Sequence, residues 1–140
     1  MPAQRELFKE KKYFTLREAL YLPTWHREAD EKDGLNDEVL RNLNGIFSTL
    51  DEIRGIFGSS ITIHCAYRPP AYNKEIGGAP KSAHIEGKAV DFSVKGYDCN
   101  HVREVLHPIL DAMKIRMEDL PDSPWVHIDS RQSAPRYFKP

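Results

Sequence analysis

The chain has 140 residues, of which 40% are hydrophobic and 29% charged; this suits one soluble domain over residues 1–140 and excludes a fibre or a disordered tail. With 20 basic and 21 acidic residues the net charge is −1, which argues against the cationic surface that non-specific nucleic-acid binding needs. The longest apolar runs fall far short of the roughly 18 residues of a membrane span, and the opening Met-Pro-Ala-Gln-Arg-Glu lacks the apolar region of a secretory signal. The expectation is a protein made in the cytoplasm, with no nucleic-acid partner and no membrane insertion.

In chain order, Thr15-Leu16-Arg17-Glu18 has the T-x-x-E form of a capping box and predicts a short helix with Phe14 just before it. Residues 23–36, with Pro23, Asp33, Gly34 and Asn36, read as a polar loop. From Asn36 to Phe57, the apolar residues Val39, Leu40, Leu43, Ile46, Phe47, Leu50, Ile53 and Phe57 recur at gaps of three and four. They mark one face of a long amphipathic helix stopped by Gly58. The period then changes. Ile61, Ile63 and Cys65 alternate with Thr62 and His64, as in a half-buried strand ended by Pro69-Pro70. One or two helical turns fit residues 70–76, and Gly77-Gly78-Ala79-Pro80 is a loop.

Lys88 to Val94 alternates again, with Val90, Phe92 and Val94 on one face and Ala89, Asp91 and Ser93 on the other. Val102, Val105, Leu106, Ile109, Leu110 and Met113 predict a second amphipathic helix over 100–113. Ile115–Glu118 and Trp125–Ser130 predict a hairpin joined by Leu120-Pro121-Asp122-Ser123-Pro124. The order helix, helix, strand, strand, helix, strand, strand predicts an α+β fold, with helices packed on an antiparallel sheet.

The two cysteines, Cys65 and Cys99, have no CxxC-type partner and read as reduced, mostly buried thiols, neither bridged nor holding zinc. Of the six histidines, His26, His64, His101 and His107 read as solvated or hydrogen-bonded side chains. His84 and His127 stand apart. His84 lies in a loop and Asp91 seven residues on, with Gly87 between them to permit a tight turn. Strand parity directs Asp91 away from Val90 and Phe92, so a loop imidazole and a strand carboxylate can converge. The segment Trp125-Val126-His127-Ile128-Asp129 brings a second imidazole from the hairpin. Two histidines and one carboxylate with an open fourth position are the donor set of a catalytic zinc. Such a zinc lowers the pKa of its water towards about 7 and polarises a carbonyl.

The pattern S-x-H-x-x-G-x-A-x-D over residues 82–91, followed by W-x-H over 125–127, resembles the signature of the zinc D-Ala-D-Ala carboxypeptidases and their cell-wall endopeptidase relatives. These form the superfamily of lysostaphin, the D-Ala-D-Ala peptidases and Sonic hedgehog. Upstream, Ala66-Tyr67-Arg68-Pro69-Pro70 and Asn73 resemble the element S-G-Y-R-S-P-x-x-N, with Cys65-Ala66 where Ser-Gly is usual. Gly77-Gly78-Ala79 and Ser82 match G-G-A-x-x-S, and Tyr13–Glu18 resembles the F-x-L-x-E start of the short, often phage-encoded members. The likeness runs from residue 13 to about residue 131.

The resemblance implies a hedgehog/D-Ala-D-Ala peptidase-like fold and a Zn2+ held by His84, Asp91 and His127. It implies that Arg68 contacts the substrate, through forked donors suited to a carboxylate or a developing oxyanion, and that Ser82 lies near the substrate terminus. Trp125 reads as a packing residue. The position three before the last histidine, where many members carry a general base, is Pro124 here. Glu118 in Arg116-Met117-Glu118-Asp119 resembles the acid of members with an R-M-E-D-x(n)-W-V-H pattern, and Asp122 in the turn is the second candidate. Glu118 is favoured because a strand fixes its direction, provided the hairpin register sets it on the face of His127. Asp129 shares the parity of His127 and could stand behind it.

The function implied is a zinc metallopeptidase acting on the stem peptides of peptidoglycan, as a carboxypeptidase or an endolysin-like endopeptidase. It would be a monomer acting at the bacterial cell wall, reached through phage lysis or tail delivery. The alternative is a non-catalytic, zinc-containing binding or phage structural module on the same scaffold.

Overall fold

The computed structural model describes residues 3–140. Two short helices lead, α1 (Gln4–Phe8) and α2 (Leu16–Leu20). No motif marks α1; it is held by Phe8, whose ring lies 5.2 Å from that of Phe47. The capping box at α2 forms, with the Glu18 amide donating to Thr15 Oγ1 at 3.3 Å and the Thr15 amide to Glu18 Oε1 at 2.9 Å. Just before the segment that reads as a loop, β1 (Tyr21–Leu22) pairs with β2 (Arg27–Glu28) inside it as a small antiparallel ribbon. Helix α3 (Asp37–Phe57) follows, capped by Asn36 and ended by Gly58 at φ 61°. Its buried stripe is the eight apolar residues that the periodicity marks.

The rest of the chain is β3 (Ile61–Cys65), α4 (Pro70–Glu75), β4 (Ala89–Val94), α5 (Cys99–Leu106), α6 (Leu110–Met113), β5 (Arg116–Glu118), β6 (Val126–Asp129) and β7 (Tyr137–Phe138). Five of the strands form one sheet in the order β3-β4-β6-β5-β7. The fold is α+β, and the sheet is antiparallel except at its edge, where β7 runs parallel to β5. The helix expected over 100–113 is broken: a 3-10 turn over His107–Ile109 separates α5 from α6, because Pro108 has no amide hydrogen to continue the ladder. Val90, Phe92, Ile128 and Met117 on one face of the sheet join the α3 stripe in a single hydrophobic cluster. Among the described residues no helix is long and apolar enough to cross a membrane.

The strand registers decide what the opposite face carries. Ile61 pairs with Val94, Thr62 with Ser93 and Ile63 with Phe92, and then Cys65, not His64, pairs with Asp91. The extra residue is a β-bulge, which reverses the alternation of the strand. The expectation that Cys65 shares the face of Ile61 and Ile63 is therefore corrected: the bulge at His64 turns it to the face of Asp91. Across the next boundary Asp91 pairs with His127 and Val90 with Ile128. Arg116 pairs with Asp129 and Met117 with Ile128, and that register carried one residue further sets Glu118 opposite His127. Cys65, Asp91, His127 and Glu118 thus form one row across four adjacent strands, on the face away from the core.

Candidate metal centre

The loop before β4 delivers His84 to this row. Ser82 caps the 3-10 turn Ala83–Glu86, its Oγ accepting the His84 amide hydrogen at 3.2 Å. Gly87 ends the turn at φ 72°. A Cβ there would stand 2.8 Å from the Val39 carbonyl oxygen, so only glycine lets the turn lie against α3. His84 is 2% exposed. Its Nδ1 lies 2.7 Å from the Ala66 carbonyl oxygen, which can only accept, so Nδ1 carries a hydrogen and Nε2 faces Asp91 Oδ2 at 3.3 Å.

His127 enters from β6. Its Nδ1 lies 2.8 Å from Asp91 Oδ1 and its Nε2 3.4 Å from Asp129 Oδ2. Asp129 is 1% exposed. It accepts two hydrogen bonds from Arg116, at 2.9 and 3.0 Å, and one from the Arg131 amide at 3.1 Å. A fixed carboxylate behind an imidazole sets the ring's orientation and raises its basicity as a ligand.

The electrostatics favour positive charge between these donors. Burial opposes a charge on His84, but hydrogen bonds to Asp91 and Cys65 outweigh it and raise the pKa to about 10. Burial likewise opposes ionisation of Asp91, yet His127 and His84 hold it well below the usual carboxylate range. The pKa of His127 is also raised: burial works against its charge, and Asp129 and Asp91 prevail.

Arg68 follows β3 on the other side of Asp91. Its Nε donates to Cys65 Sγ at 3.0 Å and its Nη1 to Asn73 Oδ1 at 3.4 Å, while Nη2 lies 3.7 Å from Asp91 Oδ2. Asn73 is buried on α4 and also donates to the Ala79 carbonyl at 2.9 Å. A Cβ on Gly78 would meet its Oδ1 at 2.1 Å, so Gly78 is what lets this loop close on Asn73.

Arg68, Ser82, His84, Asp91, Glu118 and His127 line one cavity of about 200 Å³. The structure does not bring Asp122 to it. That residue sits in the turn at φ 65°, exchanging hydrogen bonds with Asn100 at 2.9 and 3.0 Å, and lines a separate cavity. Trp125 is 43% exposed on the rim, where the sequence suggests packing. Two features were not read from the sequence. The Arg116–Asp129 clamp behind His127 is a cross-strand pair, visible only once the register is known. Cys65 is a correction: it groups with His84 and Asp91, with ligand atoms of all three within 4.8 Å of one another, although it has no CxxC partner.

Cys65, His84 and Asp91 lie close enough to share a metal ion, and His127 stands against Asp91 beside that group. The 3.3 Å between His84 Nε2 and Asp91 Oδ2 matches the roughly 3.3 Å edge of a tetrahedron whose ligands stand about 2.0–2.1 Å from zinc. His84 presents a fixed nitrogen, and the carboxylate stands between two imidazoles. A comparison with curated proteins finds no match. A family model described as Peptidase M15 matches residues 23–129, most of the chain and all of the row described above. The chain belongs to the M15 peptidases, a zinc-dependent family that includes the D-Ala-D-Ala carboxypeptidase-like enzymes.

Proposed function

We propose that this chain is a zinc-dependent peptidase that hydrolyses the peptides of peptidoglycan, as a D-Ala-D-Ala-type carboxypeptidase or an endolysin-like endopeptidase. The observation that supports this best is Asp91 held between two imidazoles in a cavity that Glu118 and Arg68 also line. His84, Asp91 and His127 would hold the metal. Bound there, zinc would make its water acidic near neutral pH and polarise the scissile carbonyl.

The chain's own groups supply the rest. The Glu118 carboxylate, opposite His127 in the sheet, accepts the proton of the attacking water and returns it to the leaving amine. The Arg68 guanidinium is held at Nε and Nη1 by Cys65 and Asn73. Nη2, 3.7 Å from Asp91 Oδ2, would also reach a peptide carboxylate or the oxygen that gains charge. Ser82 lines the same cavity, and the resemblance implies that it would stand near the substrate terminus. Asp129 holds His127 in place. One chain provides every group, as a monomer would need. The cell wall as target, and phage lysis or tail delivery as the route to it, rest on the motifs shared with short phage-type peptidases.

Digestion of purified peptidoglycan tests the reading. Zinc-reconstituted protein should release new amines, and a binding or structural module would release none.

A further inference from the structure

We propose that Cys65 is a further ligand of the metal, a thiolate beside His84 and Asp91. The inference rests on the metal centre proposed above and adds a donor to it, so the water of the proposed reaction would come in as a fifth ligand. The backbone supplies the first observation. Unbroken alternation in β3 would place Cys65 with Ile61 and Ile63 against the core, and the bulge at His64 instead makes it the cross-strand partner of Asp91. The second is distance: Cys65 Sγ, His84 and Asp91 place their ligand atoms within 4.8 Å of one another. Donors around one zinc stand about 3.3–3.8 Å apart, so a bound ion would draw the three inward from an outer limit of 4.8 Å.

The third observation is the partner of the sulfur. Arg68 Nε points its hydrogen at Sγ from 3.0 Å, a charge-assisted contact that favours negative charge on the atom. Arg68 is thereby tied to the metal centre through a ligand atom, with its Nη2 3.7 Å from Asp91 Oδ2. Cys99 offers the contrast. It begins α5 and its Sγ–H donates to the Pro124 carbonyl at 3.4 Å, away from the centre.

The step is simple to balance. The Cys65 S–H bond breaks heterolytically, the sulfur keeps the electron pair and gives it to the metal, and the proton leaves to solvent. Nothing is oxidised or reduced.

Cobalt(II) tests this in the metal-stripped full chain. After loading with one equivalent, wild type and Cys99→Ser should show a thiolate-to-cobalt charge-transfer band in the near ultraviolet. Cys65→Ser should lack the band at equal cobalt content. Stoichiometric cobalt without the band in wild type, or a band that survives in Cys65→Ser, overturns the inference and leaves the zinc peptidase reading standing. Failure of wild type to bind cobalt, or full binding by the His84→Ala, His127→Ala double variant, overturns the metal centre itself. Maleimide labelling read by mass spectrometry covers the case of a Cys65→Ser variant that does not fold. In wild type, Cys65 should be labelled at least ten-fold more slowly with metal than without, while Cys99 is unchanged. Equal labelling of Cys65 in both states contradicts ligation.

Discussion

Asp91 Oδ1 and His127 Nδ1 lie 2.8 Å apart, and the two residues are cross-strand partners in β4 and β6. A sheet register, not a flexible loop, thus fixes two of the proposed ligands against each other. One zinc per chain is expected, measured by elemental analysis. The His84→Ala, His127→Ala double variant should lose it. Removal of the metal by a chelator should abolish activity and leave most of the far-ultraviolet circular dichroism, because the α3 stripe and the inner face of the sheet form a core without it. Unfolding on chelation would mean that the metal creates the fold.

Glu118→Gln should lower the rate by about 10²–10⁴-fold with zinc content unchanged, since the amide keeps the shape and cannot take the proton. Asp122→Asn should leave the rate near wild type, because Asp122 is engaged with Asn100 and faces another cavity. The reverse pattern would assign the base to the turn.

Arg68→Lys should keep zinc and lose most activity, by about 2–4 kcal/mol in transition-state stabilisation. The guanidinium bonds Cys65 and Asn73 through two nitrogens while a third lies 3.7 Å from Asp91 Oδ2, and an ammonium cannot reproduce that fork. A Lys variant with wild-type kcat/KM would make Arg68 structural.

Much of this architecture is legible in local pattern. The period of α3, the Thr15–Glu18 box and the alternation of β4 each depend on neighbours within a few residues. The loop-to-strand path from His84 through Gly87 to Asp91 is of the same kind, and the structure brings both side chains together as the spacing suggests. What local pattern cannot carry is pairing over distance. The bulge at His64 is defined only against β4, so the face taken by Cys65 reverses without any change in the local alternation. The two-residue strand β7 has no period at all and exists because β5 offers it an edge. Trp125 reads as a packing residue, yet is 43% exposed on the rim of the cavity.

Acid should weaken one surface anchor selectively. Arg27 donates to both oxygens of Asp33 at 2.7 and 2.8 Å, and this hydrogen bonding holds the Asp33 pKa at about 2, below the ordinary 3.8. The folded value lies below the unfolded one, so the contribution is complete above about pH 4 and fades as the pH falls towards 2. The Arg27 side chain is 45% exposed, so solvent screens the pair and keeps its contribution small. In urea unfolding, wild type should be more stable than Asp33→Asn at neutral pH, with the gap closing towards pH 2. A gap independent of pH would contradict the assignment.

The most direct measurement is mass spectrometry of a synthetic stem peptide ending in D-Ala-D-Ala and of cross-linked muropeptides, each incubated with zinc-loaded and metal-stripped protein. The zinc peptidase reading predicts that one of these substrates gains a water and splits with the loaded protein, is left intact by the stripped protein, and splits again when zinc is restored. Both substrates unchanged by protein carrying one zinc per chain would contradict it.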